Sequence, residues 1–198
     1  MNFVKEKLKS FLRAKVGSER YRHSLFVADE AKQLAKNYGE DEEKAYLAGL
    51  LHDITKEFTK EEHFNLIKKY GVKLDEIEFR TEKLWHAITA PLYVKEVLKI
   101  EDEDILNAIR YHTTGRANMG NLEKIVFLAD FISEDRKKEF NNVEEARDVA
   151  YKNLEEGALY ELRCSIKSLI KKESPISLES IKAYNHYLLL GKERKMKI

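Results

Sequence analysis

The chain has 198 residues, with 36 Lys or Arg against 35 Asp or Glu, so its formal charge is +1 at pH 7. That balance argues against a protein that coats a polyanion, and 43% apolar with 36% charged residues describes a globular chain with a heavily solvated exterior. At about one domain per 150 residues, the length predicts a single domain large enough to fold without covalent staples.

The chain has only 2 Pro and 8 Gly, which disfavours a fold of many short strands and tight turns. Apolar residues recur at spacings of three and four, predicting an all-α fold. The first helix, over 3–15, sets Leu8, Phe11 and Leu12 among Lys5, Lys7, Lys9, Arg13 and Lys15 and is expected to dock on the core. It lacks the continuous apolar stretch of a secretory signal. After Gly17-Ser18 the pattern predicts helices over 20–38 and, past Gly39, over 42–53. The run Tyr46 to Leu51 in the latter is far short of the roughly 20 residues that span a bilayer, so no membrane partner is expected. Further helices are predicted over 60–70, 82–98, 102–113, 121–135, 143–171 and 178–190, separated by Gly71, Thr113-Thr114-Gly115, Gly120, Asn141-Asn142 and Ser174-Pro175. Pro91 falls inside the helix over 82–98, so that helix either kinks or starts near Ala90. The single cysteine, Cys164, offers neither a disulfide nor a thiolate metal pair, which fits a cytoplasmic setting.

Four of the six histidines fall on apolar or small-residue helix faces. His23 lines up with Val27, Ala31 and Leu34, His52 with Ala45, Ala48 and Gly49, His86 with Ala90 and Tyr93, and His112 with Ile105, Ala108 and Ile109. Asp53 ends one apolar run, and Asp130 is embedded in Ile125 to Ile132. Inward carboxylates need a cation or a changed protonation state. Four imidazoles and two carboxylates together call for a divalent transition metal, which accepts such nitrogen and oxygen donors; iron, manganese, nickel, cobalt and zinc all suit the set. His63 and His186 have polar or peripheral neighbours and are left out.

The order His23, His52-Asp53, Asp130 resembles the metal signature of the HD superfamily of phosphohydrolases. More closely, Leu47 to Asp53, Ala108 to Arg116 and Glu123 to Asp130 resemble the YqeK family, the symmetrical bis(5'-nucleosyl)-tetraphosphatases. The resemblance implies a single-domain helical bundle of the HD-domain type, with a metal-binding core over about 18–138 and C-terminal helices over about 143–190. It also implies symmetrical hydrolysis of diadenosine tetraphosphate, or of dinucleoside tetraphosphates more widely, to two ADP (or GDP) by a metal-activated hydroxide, with one or two divalent ions, iron favoured. His23, His52, Asp53 and Asp130 would hold the first ion. His86 and His112 would hold a second or touch phosphate oxygens. Asp53, Lys56, His86, His112 and Arg136 are the expected catalytic groups. Substrate contacts are expected from His23, Lys56, His86, His112, Thr113, Arg116 and Arg136. A homodimer is among the assemblies it allows, and no nucleic-acid partner is implied. The chain departs from the family string Tyr-Ile-Glu-Pro-Asn-Arg with Phe131-Ile132-Ser133-Glu134-Asp135-Arg136, and it carries Ala87-Ile88 after His86 where Gly and Pro are typical. Other nucleotide hydrolysis, by a 5'-nucleotidase or cyclic-dinucleotide phosphodiesterase, and a non-catalytic nucleotide-binding module are the alternatives.

Overall fold

The computed structural model describes residues 2–138 and 142–196. Every regular element among them is helical, as the periodicity predicts: α1 (Asn2–Lys15), α2 (Ser18–Tyr38), α3 (Glu42–Leu51), α4 (Lys60–Lys69), α5 (Glu76–Arg80), α6 (Trp85–Leu98), α7 (Glu103–Tyr111), α8 (Asn121–Ile132), α9 (Val143–Lys152), α10 (Leu154–Lys171) and α11 (Leu178–Met196). Short 3-10 turns precede α6 and follow α8, at Glu82–Leu84 and Glu134–Lys138. Asn141, half of one expected breaker, lies outside the described residues.

Local chemistry sets most of the helix starts. The Asp41 side chain accepts from the amides of Glu43 and Lys44 at the head of α3, and Asp102 caps α7 in the same way. Thr59 and Glu62 form a reciprocal capping box on α4. The structure departs from expectation at four points. The helix over 143–171 is two helices, because Asn153 leaves the helical region (φ −157°, ψ 117°) and its side chain accepts from the amides of Glu155 and Glu156 as a new N-cap. The helix over 121–135 stops at Ile132, and a five-residue helix, α5, was not expected at all. Pro91 does not delay α6, which begins at Trp85 and runs through the proline with Ala87, Ile88, Ala90, Pro91 and Val94 all buried. Burial on both sides of Pro91 offsets the one hydrogen bond it removes.

Two large apolar clusters meet at α8. Leu34, Phe127, Leu128, Ile132, Val143 and Leu162 join α2, α8, α9 and α10 on one side. Leu12, Leu50, Leu51, Ile54, Ile109 and Val126 join α1, α3, α7 and α8 on the other. Because α8 gives side chains to both clusters, it needs apolar residues on more than one face, which explains the run Ile125 to Ala129. The α2–α3 crossing is set by Gly49: a Cβ there would lie 2.9 Å from Cα of Ala28 and 3.0 Å from the Val27 carbonyl oxygen. That close approach brings the end of α3, with His52 and Asp53, onto the helix that carries His23.

Candidate metal centre

The inward histidines are buried as their helix faces predict: His23, His52, His86 and His112 are each no more than 6% exposed, and Asp53 is 2% exposed. His52 is the C-cap of α3, and the chain then turns through Asp53, with the Ile54 amide bonded to Leu51 O and the Lys56 amide to Asp53 O. Thr55 in that turn donates to the backbone oxygen of His86 at 3.0 Å and so locks the α3 turn to the start of α6.

Two hydrogen bonds define the tautomers. Nδ1 of His52 lies 2.6 Å from Gly49 O and Nδ1 of His112 lies 2.7 Å from Ile109 O. A carbonyl only accepts, so Nδ1 carries a proton in both rings and Nε2 is the nitrogen left to face an ion. Nε2 of His52 and Oδ1 of Asp53 are buried without a hydrogen-bond partner. Unmet acceptors of this kind are costly in a protein interior. Among the described residues, ligand atoms converge within 4.8 Å in two triads that share His52: His23, His52 and Asp130, and His52, Asp53 and His112. A divalent ion would satisfy these atoms, so the donor set fits the expected metal.

Cationic side chains surround the carboxylates. Arg20 donates to Asp53 Oδ2 at 2.6 Å, and Lys56 Nζ is 3.5 Å from Asp53 Oδ1. Arg136 donates through Nη2 to Asp130 Oδ1 at 2.9 Å and through Nε to the Asp130 backbone oxygen at 3.1 Å. Burial alone would raise both carboxyls, yet neighbouring cationic and imidazole groups outweigh it and hold Asp53 and Asp130 well below the usual carboxylate range. Burial lowers His52, and burial with the Lys56 charge lowers His86 to about 3, so both rings are neutral. Burial would lower His23 as well, but hydrogen bonds to Asp130 and Asp135 raise it to about 9.

The structure brings all but one of the candidate residues into this cluster. His86 Nε2 is 3.2 Å from Asp53 Oδ1, 2.9 Å from Lys56 Nζ and 3.1 Å from His112 Nε2, and it belongs to neither triad. The Thr113 hydroxyl stands 2.9 Å from His112 Nε2 and 3.2 Å from His86 Nε2. Arg116 is the exception: its guanidinium makes a bidentate pair with the buried Glu123, at 2.6 and 2.7 Å, and stacks over Tyr111. Sequence reasoning passed over two residues. Arg20 lies three positions before His23, on the same helix face, which was the available signal. Asp135 reaches His23 across 112 positions of sequence, where no local pattern could reveal it. His63, set aside as peripheral, is 5% exposed and bonds to Thr89, which contacts Thr55 in turn.

The HD domain family model matches residues 20–135. A protein of Halalkalibacterium halodurans named symmetrical bis(5'-nucleosyl)-tetraphosphatase is 43% identical over 170 residues, 86% of this chain and 89% of that one. A Bacillus subtilis protein of the same name is 33% identical over 91% of this chain and 96% of its own length. A crystal structure of a predicted HD superfamily hydrolase involved in NAD metabolism, from Clostridium acetobutylicum, superposes with a TM-score of 0.89 at 38% identity, over 93% of this chain and 96% of the other.

Proposed function

This chain belongs to the HD domain family, together with the symmetrical bis(5'-nucleosyl)-tetraphosphatases, and from that premise we propose that it is a metal-dependent phosphohydrolase that splits dinucleoside tetraphosphates into two nucleoside diphosphates. The observation that carries this reading is the pair of histidine–aspartate triads joined at His52, where, among the described residues, His52 Nε2 and Asp53 Oδ1 are buried without a hydrogen bond. His23, His52, Asp53 and Asp130 would hold the first ion, and the thiolate-free donor set is compatible with iron, the ion we favour. A bound ion supplies charge neutralisation at the phosphoryl group and lowers the pKa of a coordinated water toward about 7.

The chain's own residues supply the rest. Lys56, one-third exposed and 2.9 Å from His86, sets an ammonium beside the cluster for a phosphate oxygen. His86, His112 and Thr113 form the wall next to it, where their Nε2 and hydroxyl groups orient the phosphate chain. Arg136, bonded to Asp130 through its side chain, places a guanidinium charge beside the cluster to meet the remaining phosphate charge. Arg116 has a subordinate place, because Glu123 already engages two of its donors. In the reaction, a water oxygen bonds to the inner phosphorus of one half of the substrate. The bridging P–O bond at the centre of the chain breaks, and the departing oxygen leaves as the second nucleoside diphosphate.

Metal-loaded protein incubated with diadenosine tetraphosphate in ¹⁸O-water is the test. The expected result is ADP alone, two per substrate consumed, with one ¹⁸O incorporated per pair. AMP with ATP, or turnover only of mononucleotides or cyclic dinucleotides, would overturn the proposal.

A further inference from the structure

Asp135 sits in the 3-10 turn after α8, outside both triads. Its Oδ2 is 2.7 Å from Nδ1 of His23, and its Oδ1 accepts from the Ser133 hydroxyl at 2.7 Å. Ser133 is fully buried, so the hydroxyl that orients this carboxylate is itself fixed. On the far side of the same imidazole, Nε2 faces Asp130 Oδ1 at 3.0 Å. Both ring nitrogens therefore face carboxylates, one oriented by a buried serine and outside the triads, the other the acidic member of the first triad.

Ligating histidines are oriented through the nitrogen that does not bind the ion, most often by a carboxylate or carbonyl acceptor. His52 and His112 use backbone carbonyls for this, at Gly49 and Ile109. Among the described residues His23 has no such carbonyl contact, and Asp135 occupies the equivalent place on its ring.

We propose that Asp135 is a positioning residue for His23, accepting the Nδ1 proton so that Nε2 is presented to the metal, in a carboxylate–histidine–metal relay. The inference rests on the metal-dependent reading of the site. Because the acceptor is an anion where the other two rings use a neutral carbonyl, it holds the ring orientation and also strengthens Nε2 as a donor.

The test uses the full chain, stripped of metal and titrated with Co²⁺ against a fluorescent chelator, with the cobalt d–d spectrum as second readout. D135A is expected to weaken Co²⁺ about 10–100-fold and shift the d–d bands. D135N, which keeps a neutral acceptor, is expected to recover part of that loss. In Zn²⁺-loaded, ¹⁵N-labelled protein the His23 Nδ1–H signal should be present in the parent chain and absent from D135A. Wild-type affinity and unchanged bands in D135A would overturn the role of Asp135 while leaving the metal reading standing. Failure of the parent chain to bind Co²⁺ at all would overturn both. Should D135A not fold, D135N decides, since an affinity equal to that of the parent would refute a contribution from the charge.

Discussion

His52 turns its Nδ1–H onto the carbonyl oxygen of Gly49, three residues back, at 2.6 Å, and thereby leaves Nε2 buried and, among the described residues, without a hydrogen bond, 3.6 Å from Asp53 Oδ2. The same glycine allows α2 to come close enough for His23 to meet the other side of that site. One residue thus orients a proposed ligand through its carbonyl and admits the neighbouring helix through its missing side chain.

Replacing that ligand tests the centre directly. His52→Ala should abolish stoichiometric metal in elemental analysis and reduce tetraphosphate hydrolysis to background, while the far-ultraviolet circular dichroism stays helical. The apolar clusters on either side of α8 do not depend on His52. Full metal content in the variant would contradict the assignment of His52.

Gly49→Ala puts a methyl group 2.9 Å from the Ala28 backbone, where nothing can yield except the helix pair itself. Overpacking of this kind costs about 1–3 kcal/mol. The thermal midpoint should fall accordingly, and metal affinity should fall with it as His23 and His52 separate. A midpoint drop with unaltered metal affinity would show that the crossing does not set the ligand spacing.

The two sides of His23 give a pH dependence of definite sign. Its pKa in the fold, about 9, lies above the ordinary 6.5, so in metal-free protein the protonated ring contributes stability that is complete below about pH 6.5 and is lost as pH rises through about 9. Metal binding runs the opposite way, because Nε2 must first lose its proton. The gap in thermal midpoint between loaded and metal-free protein should widen from about pH 6 to about pH 9. A gap independent of pH would contradict the assignment of His23 as a ligand.

Away from the centre, Glu30 on α2 accepts from Arg147 at 2.8 Å and from the Tyr151 hydroxyl at 2.9 Å, and Arg147 also donates to the Ile132 carbonyl. Arg147→Met leaves a nearly buried carboxylate without its cation. Breaking a fully buried pair costs about 3–5 kcal/mol; Arg147 retains some solvent access, so about 2–3 kcal/mol is expected by denaturant unfolding. Adding Glu30→Gln should recover part of the loss, and additive costs would refute the coupling.

Asn153→Ala removes the cap that starts α10 and should cost about 1 kcal/mol in the same measurement, with metal content and turnover unchanged. A neutral result would mean that packing of α9 against α10 alone determines the break.

Helix positions were legible in the sequence because a helix is a local object: three- and four-residue apolar spacing, Asp41, Thr59 and Asp102 at the starts, and Gly39 at an end all act within one or two turns. The inward placement of His23, His52, His86 and His112 was legible for the same reason, and the order of His and Asp residues identified the family. The break at Asn153 was missed because its apolar period continues on both sides, and only the cap's backbone conformation interrupts it. What only the tertiary structure decided was partnership: Arg20 with Asp53 across 33 positions, Asp135 with His23 across 112, and Arg116 with Glu123 in place of open solvent. Charges attract over distances that depend on how helices cross, and those crossings are set by contacts such as Gly49 on Ala28 that no periodicity records.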